Sequence, residues 1–166
     1  GIDSIDYVYA KKKGIKVFNT PGAFTYGVAT MAISMILAFY RQLITNHNDI
    51  KKNKWKKYSG ETLLNKKIGV IGVGNIGKKI IEMIQGFETI NYVNDINKIN
   101  KNFLLKYKLK SKTKKFIFNN CDIIIIATDL NKTSIKLINK KTINQFKNNP
   151  LIVNIGRGGS IDNQAL

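Results

Sequence analysis

Lys67-Ile68-Gly69-Val70-Ile71-Gly72-Val73-Gly74-Asn75-Ile76-Gly77-Lys78 is the stretch that decides the fold. An apolar run, Ile68 to Ile71, feeds into Gly72, Gly74 and Gly77 at the G-x-G-x-x-G spacing. That pattern predicts a strand turning into a helix around a phosphate. The first glycine permits the tight turn, the second lets backbone approach a pyrophosphate, and the third lets helix pack close on strand. The new helix offers unpaired N–H groups and a positive dipole end to the anion. By itself the motif is admitted by many families, so the rest of the chain has to be read with it.

The chain has 166 residues, 43% of them hydrophobic, enough for one main core and the edge of a second. Its formal net charge is +18, a value that ordinarily points to nucleic acid or an anionic surface. Here the excess is almost all lysine, spread evenly and mixed with asparagine and isoleucine, as an A/T-rich genome would impose on any protein. A solvated lysine surface is therefore the reading adopted, and nucleic acid is not the expected partner. Arg41 and Arg157 are the only arginines. The single Cys121 cannot form an internal disulfide and precedes an apolar run, which suits a buried thiol in a reducing, cytoplasmic setting. No apolar run reaches bilayer-spanning length. The sequence opens at Gly1 without a Met and stops at Ala165-Leu166 in what reads as the start of a helix, so a fragment of a longer protein is expected.

Taken in order, Ile2, Ile5, Val8 and Tyr9 fall at helical spacing up to Lys13, with Gly14 as C-cap. Ile15 to Phe18 reads as a short buried strand, stopped at Asn19-Thr20-Pro21-Gly22. Val28 to Leu43 is apolar almost all round and predicts a helix buried on most faces. Thr45 to Gly60 is a basic loop in which Trp55 is expected to fold back onto the domain, although an aromatic among Lys51, Lys52, Lys54, Lys56 and Lys57 could also stack on single-stranded nucleic acid. His47 reads as a surface residue.

After the glycine stretch, Lys78 to Gln85 continues the helix with Ile80, Ile81 and Ile84 inward. Ile90 to Val93 is a second strand, and Asp95 follows it, eighteen residues past Gly77. That is the place for an acid that accepts hydrogen bonds from the adenosine ribose and repels a 2′-phosphate, favouring NAD over NADP. Phe103 to Lys115 predicts a short basic helix and loop. Cys121 to Ala127 is the β-branched run of a central parallel strand. Thr128 to Ser134 is a loop, Ile135 to Asn139 a turn or strand, Thr142 to Phe146 a brief helix, and Leu151 to Ile155 a further strand emptying into Gly156-Arg157-Gly158-Gly159. Strands alternating with helices give an α/β fold with a doubly wound parallel sheet of Rossmann type. Four strand ends converge on one crevice: Gly72 to Gly77, Asp95, Thr128-Asp129 and Gly156-Arg157.

With these motifs in place the chain resembles the D-isomer-specific 2-hydroxyacid dehydrogenases over nearly its whole length. Gly1-Ile2-Asp3-Ser4-Ile5-Asp6 and Val17-Phe18-Asn19-Thr20-Pro21-Gly22 look like that family's crossing between domains. Val28-Ala29 and the helix ending at Arg41 look like its V-A-E-x-x-x-x-L-x-L-x-x-x-R segment, with Thr30 in place of the glutamate. Trp55 and Gly60 match the segment before the glycine motif, and Leu137-Ile138-Asn139 matches a family tripeptide. Val153-Asn154-Ile155-Gly156-Arg157-Gly158-Gly159, then Ile161-Asp162 and Ala165-Leu166, match the catalytic-arginine signature, the most specific of the set. Asp95-Ile96-Asn97-Lys98 is similar to the phosphoglycerate dehydrogenase-like subgroup.

The resemblance implies residues 1–21 as the tail of a substrate domain with its hinge, and residues 22–166 as a C-terminally incomplete NAD-binding domain. It implies NAD held by Gly72, Gly74, Asn75, Ile76, Gly77, Asp95, Thr128, Asp129, Ser134, Ile155, Gly156 and Arg157, with no metal. Arg157 would be catalytic: its guanidinium fork pairs with a substrate carboxylate and polarises the C2 carbonyl. Asp129 departs from the usual proline and Ala127 from a common histidine. An acid beside phosphates is unfavourable, so Asp129 must point away or the site has altered. The family's proton-transferring histidine and its glutamate lie beyond the arginine motif, so this piece alone would bind NAD weakly without turning over. The expected activity of the parent is hydride transfer between nicotinamide and C2 of a 2-hydroxy or 2-keto acid, 3-phosphoglycerate first among candidates, in a homodimer to which the Val28 to Leu43 helix could contribute. The alternatives are a corepressor-like NAD-binding module and a basic nucleic-acid-binding domain.

Overall fold

The computed structural model describes residues 5–166; the Gly1 to Ser4 part of the family match and of the first helix lies outside them. Strands β1 (Lys67–Ile71), β2 (Ile90–Asn94), β3 (Lys110–Ser111), β4 (Ile123–Ile126) and β5 (Leu151–Asn154) form one sheet in the order β3-β2-β1-β4-β5. All neighbours are parallel. β1 is the centre, with Ile71 level with Asn94 on one side and Ile126 on the other, so the strands finish together.

The helices are α1 (Tyr7–Lys12), α2 (Thr25–Tyr40), α3 (Leu43–Lys51), α4 (Asn75–Ile84), α5 (Lys101–Lys106), α6 (Lys114–Asn120) and α7 (Lys140–Ile143). Alternation along the strands splits the core into two layers. Ile68, Val70, Ile123 and Ile125 face Ile80, Ile81 and Ile84 of α4 and Ala29, Ala32 and Ile36 of α2. Ile71, Ile124 and Ile126 face Ile117 and Phe118 of α6, with Leu137 and Ile138. Helices on both faces explain why β4 can be four consecutive isoleucines, all buried. Cys121 is buried in the second layer, and that burial pushes its thiol up to about 12, keeping it protonated and inert.

Several expectations are corrected. Ile15 to Phe18 forms no strand: among the described residues no other segment pairs with it, and Ile15 and Phe18 are exposed. The predicted Val28 to Leu43 helix starts earlier, ends at Tyr40, and turns by 64° into α3 through Gln42, which adopts a left-handed conformation. It buries a single stripe, Ala29, Ala32 and Ile36, and leaves Met31, Met35 and Phe39 exposed. Thr45 to Gly60 is partly α3 rather than all loop, and Trp55 does not fold back; it is 93% exposed. Phe103 to Lys115 resolves into α5, β3 and the start of α6. The helix expected at Thr142 to Phe146 begins earlier, at Lys140, where Asn139 and Thr142 cap each other reciprocally.

Gly14 does close α1, at φ +71, and Ile138 bridges to Ile161 in parallel. Among the described residues no single helix is long and apolar enough to cross a membrane.

Ser160 is fully buried and its hydroxyl has no hydrogen-bond partner, while its carbonyl accepts from the Ile138 N–H. Removing the hydroxyl leaves that backbone bond intact and deletes an uncompensated polar group. Ser160→Ala is expected to leave stability unchanged or raise it by about 1 kcal/mol, read as a rise in the urea midpoint of the intact protein; a loss of stability beyond that size would contradict the orphan hydroxyl.

Candidate functional site

The crevice begins where β1 stops. Gly72 takes φ +97, closed to ordinary L-residues, and a Cβ there would come within 2.6 Å of the Ala127 carbonyl oxygen on β4's end. At Gly77 a Cβ would overlap the Gly72 carbonyl oxygen, so α4 starts against the strand it follows. Gly74 is the N-cap of α4 and provides no side-chain cap, so the first amides of the helix, at Asn75, Ile76 and Gly77, point outward without an intrahelical acceptor. A Cβ at Gly74 would meet nothing within 4 Å: the space over the helix terminus is open. This is a cradle for an anion held by backbone.

Asp95 stands beside it at the end of β2. Its Oδ2 accepts from the Val73 N–H at 2.6 Å and its Oδ1 from the Asn97 N–H at 2.7 Å. The acid thus braces the glycine loop while keeping lone pairs for a further donor. A cavity of about 170 Å³ joins Gly72, Gly74 and Asp95 to Asn94, Ile96 and Asn97 on one wall and Thr128, Asp129, Asn131, Thr133 and Lys114 on the other. The Thr128 hydroxyl is buried and unpartnered, an orphan that a ligand group in the crevice would satisfy.

The loop after β4 is fixed from within. The Ser134 hydroxyl donates to the Asp129 carbonyl at 2.6 Å and accepts from the Asn131 N–H at 2.8 Å, and Ser134 is buried, so its contacts are to the loop itself. Asn131 Oδ1 accepts from the Thr133 N–H and hydroxyl. Lys114 Nζ donates to the Thr133 carbonyl at 2.8 Å, tying the start of α6 to this loop; burial lowers its affinity for the proton.

At the end of β5, Asn154 holds the next turn: its Oδ1 accepts from the Gly156 N–H and its Nδ2 donates to the Arg157 carbonyl at 2.9 Å. Gly156 runs so close to the Thr128 carbonyl that a Cβ would overlap it. The structure therefore brings Gly72, Gly74, Asp95, Thr128 and Asp129 into one cavity, with Gly156 packed behind Thr128 and Ile155 half-buried before it. Arg157, half-buried and with Nη1 donating to the Gly156 carbonyl, lies one strand further along the same edge and does not line that cavity. His47 is exposed on α3. Among the described residues no three His, Cys, Asp or Glu side chains are placed to hold a metal ion.

Sequence reading missed Lys114, Asn94, Asn97, Asn131 and Thr133 as cavity residues. Asn131-Lys132-Thr133-Ser134 carries an Asx-turn signal; Lys114 carries none, being one lysine among many.

These residues fit a dinucleotide: a backbone anion cradle, an acid one strand away on one side, and an orphan hydroxyl one strand away on the other. Comparison with known proteins agrees. The family model of the D-isomer specific 2-hydroxyacid dehydrogenase NAD-binding domain matches residues 33–166. Hydroxypyruvate reductase of Thermotoga maritima is 35% identical over 168 residues, covering all of this chain and 54% of that protein. Human D-3-phosphoglycerate dehydrogenase is 32% identical over 170 residues, covering all of this chain and 31% of that protein. The apo-structure of D-lactate dehydrogenase from Escherichia coli superposes with a TM-score of 0.90 at 28% identity, over 99% of this chain and 52% of that one. The chain thus spans between a third and about half the length of these relatives. A doubly wound sheet, the glycine cradle with its acid, and a family match over most of its length place this chain in the D-isomer specific 2-hydroxyacid dehydrogenase family, as its NAD-binding domain.

Proposed function

We propose that the protein carrying this chain is an NAD-dependent oxidoreductase that interconverts a 2-hydroxy acid and its 2-keto acid, with 3-phosphoglycerate among the substrates to test. One observation supports this above the others: the glycine cradle and Arg157 sit at the C-terminal ends of strands in one parallel sheet, β1 and β5. NAD supplies the hydride acceptor in the oxidising direction and its reduced form the donor in the other. The amides of Asn75, Ile76 and Gly77 hold the pyrophosphate and Asp95 the adenosine ribose, while Thr128, Gly156 and Ile155 border the path toward β5. Asp129 lies on the adenosine wall and Ser134 acts by stapling its loop. Arg157 receives the substrate carboxylate and withdraws charge from the C2 oxygen.

Residues 1–21 form the tail of a substrate domain and its hinge, and residues 22–166 the cofactor domain. The relatives are longer than this chain, and the acid–base pair belongs to sequence outside it; the 166 residues alone bind NAD weakly and do not turn over. The protein works in the cytoplasm, where NAD-linked metabolism supplies the cofactor. It pairs as a homodimer through the exposed apolar face of α2, where Met31, Met35 and Phe39 adjoin a groove lined by Ile44 and Tyr40. Buried Ala29 and Ala32 show that α2's other stripe is already used within the chain.

Assay of the intact protein for NADH oxidation with a panel of 2-keto acids tests the activity; absence of turnover with every member would refute it. Arg157→Gln is expected to lower kcat/KM about 10²- to 10³-fold while the dissociation constant for NADH moves far less. For the dimer, Phe39→Asp should shift the sedimentation coefficient from dimer to monomer with the circular dichroism spectrum unchanged; a monomeric parent protein would remove the proposal.

A further inference from the structure

The adenosine side of the crevice is more polar than a base pocket needs to be. A pocket that takes adenine by stacking and burial alone requires apolar walls. Here one wall carries a carboxylate and an ammonium, Asp129 and Lys114, in the same cavity as Asp95. No hydrogen bond or ion pair engages the Asp129 carboxylate among the described residues. Its backbone is held, the carbonyl by Ser134 and the loop behind it by Asn131, while the side chain is exposed at the mouth of the cavity. Lys114 spends one N–H on the Thr133 carbonyl and keeps two others. The cavity therefore presents an acceptor at its exposed rim, Asp129, and an anchored donor, Lys114, that the fold does not consume.

The route of the ligand says what meets them. With the pyrophosphate on the α4 amides and the ribose at Asp95, the base is the remaining part of the adenosine half. It must enter the same cavity, between the Ile96–Asn97 wall and the Asp129–Lys114 wall. Adenine's outer edge carries an amine donor beside a ring-nitrogen acceptor, which call for an acceptor and a donor such as the carboxylate and the ammonium that line this cavity. Hypoxanthine reverses both: a carbonyl acceptor beside an N–H donor. Resting on the dinucleotide reading above, we infer that Asp129 and Lys114 read the base edge of the cofactor, Asp129 accepting from the exocyclic amine and Lys114 donating to the adjacent ring nitrogen. The proline-to-aspartate departure at this loop position is thereby a specificity device: the acid is directed at the base, away from the phosphates.

The test compares NADH with reduced nicotinamide hypoxanthine dinucleotide, identical except at that edge, by fluorescence titration of the intact protein. The wild type is expected to bind NADH at least about tenfold more tightly, the scale of one hydrogen bond to a charged group. Asp129→Asn, whose amide can either accept or donate, should bring the two ligands within about threefold. Lys114→Met should weaken NADH and narrow the ratio as well; because it also removes the Thr133 anchor, its melting temperature is measured alongside. The isosteric Asp129→Asn carries the decision if Lys114→Met unfolds. Equal binding of the two ligands by the wild type, or a preference that Asp129→Asn leaves intact, overturns base reading while leaving dinucleotide binding standing. Failure to bind either ligand, with ADP-ribose also rejected, overturns the dinucleotide reading and this inference together.

Discussion

The contact between the first turn of α4 and the end of β1 sets the geometry of everything else. Helix and strand meet there with backbone against backbone, because Gly77 has no Cβ to hold them apart and Gly72 can adopt the conformation that starts the turn. That approach aims the free amides of α4 along the C-terminal edge of the sheet. β1 is also the one strand with a five-residue ladder on one side and a four-residue ladder on the other. A strand so placed transmits its position to β2, which carries Asp95, and to β4, which carries Thr128. The site is the rim of the central strands of the sheet rather than an addition to them.

Asp95 shows how closely binding and folding are joined in such a rim. One oxygen holds the glycine loop against the end of β2 through the Val73 N–H, and the other fixes Asp95's own turn through the Asn97 N–H. The loop is therefore shaped in advance, so that a ligand donor bonding there, as proposed for the ribose, would not have to order the backbone. The loop after β4 follows the same logic with different chemistry, its Ser134, Asn131 and Lys114 bonds all internal. Preorganisation on both walls concentrates the adaptable groups in a few side chains.

What the sequence discloses follows from which physical signals its composition preserves. β1, β4 and β5 and the glycine cradle are legible because buried parallel strands and φ-positive turns demand residue types that no codon bias can replace. α6 was not legible. Its helix is Lys114 to Asn120, of which only Ile117 and Phe118 are buried, and the three adjacent apolar residues Phe116 to Phe118 between two lysines and two asparagines show no helical period. Ile15 to Phe18 was over-read, since an apolar run is a strand only when another backbone offers it hydrogen bonds. The same holds for α2 and Trp55, whose apolar character does not by itself bring burial: Trp55, Met31, Met35 and Phe39 are exposed. The positions of Asp95 and Thr128 at the crevice could be read from the strand ends, whereas Lys114 reaches it through a fold-level contact invisible to local pattern.

The exposed ridge of α2 sits on a molecule of net charge +18. Two such surfaces approach each other against long-range repulsion, and only at contact does apolar burial favour them. Salt screens the first term and barely touches the second. If two chains pair through that ridge, as proposed, the contact strengthens as salt rises, in the sense opposite to complexes of oppositely charged surfaces.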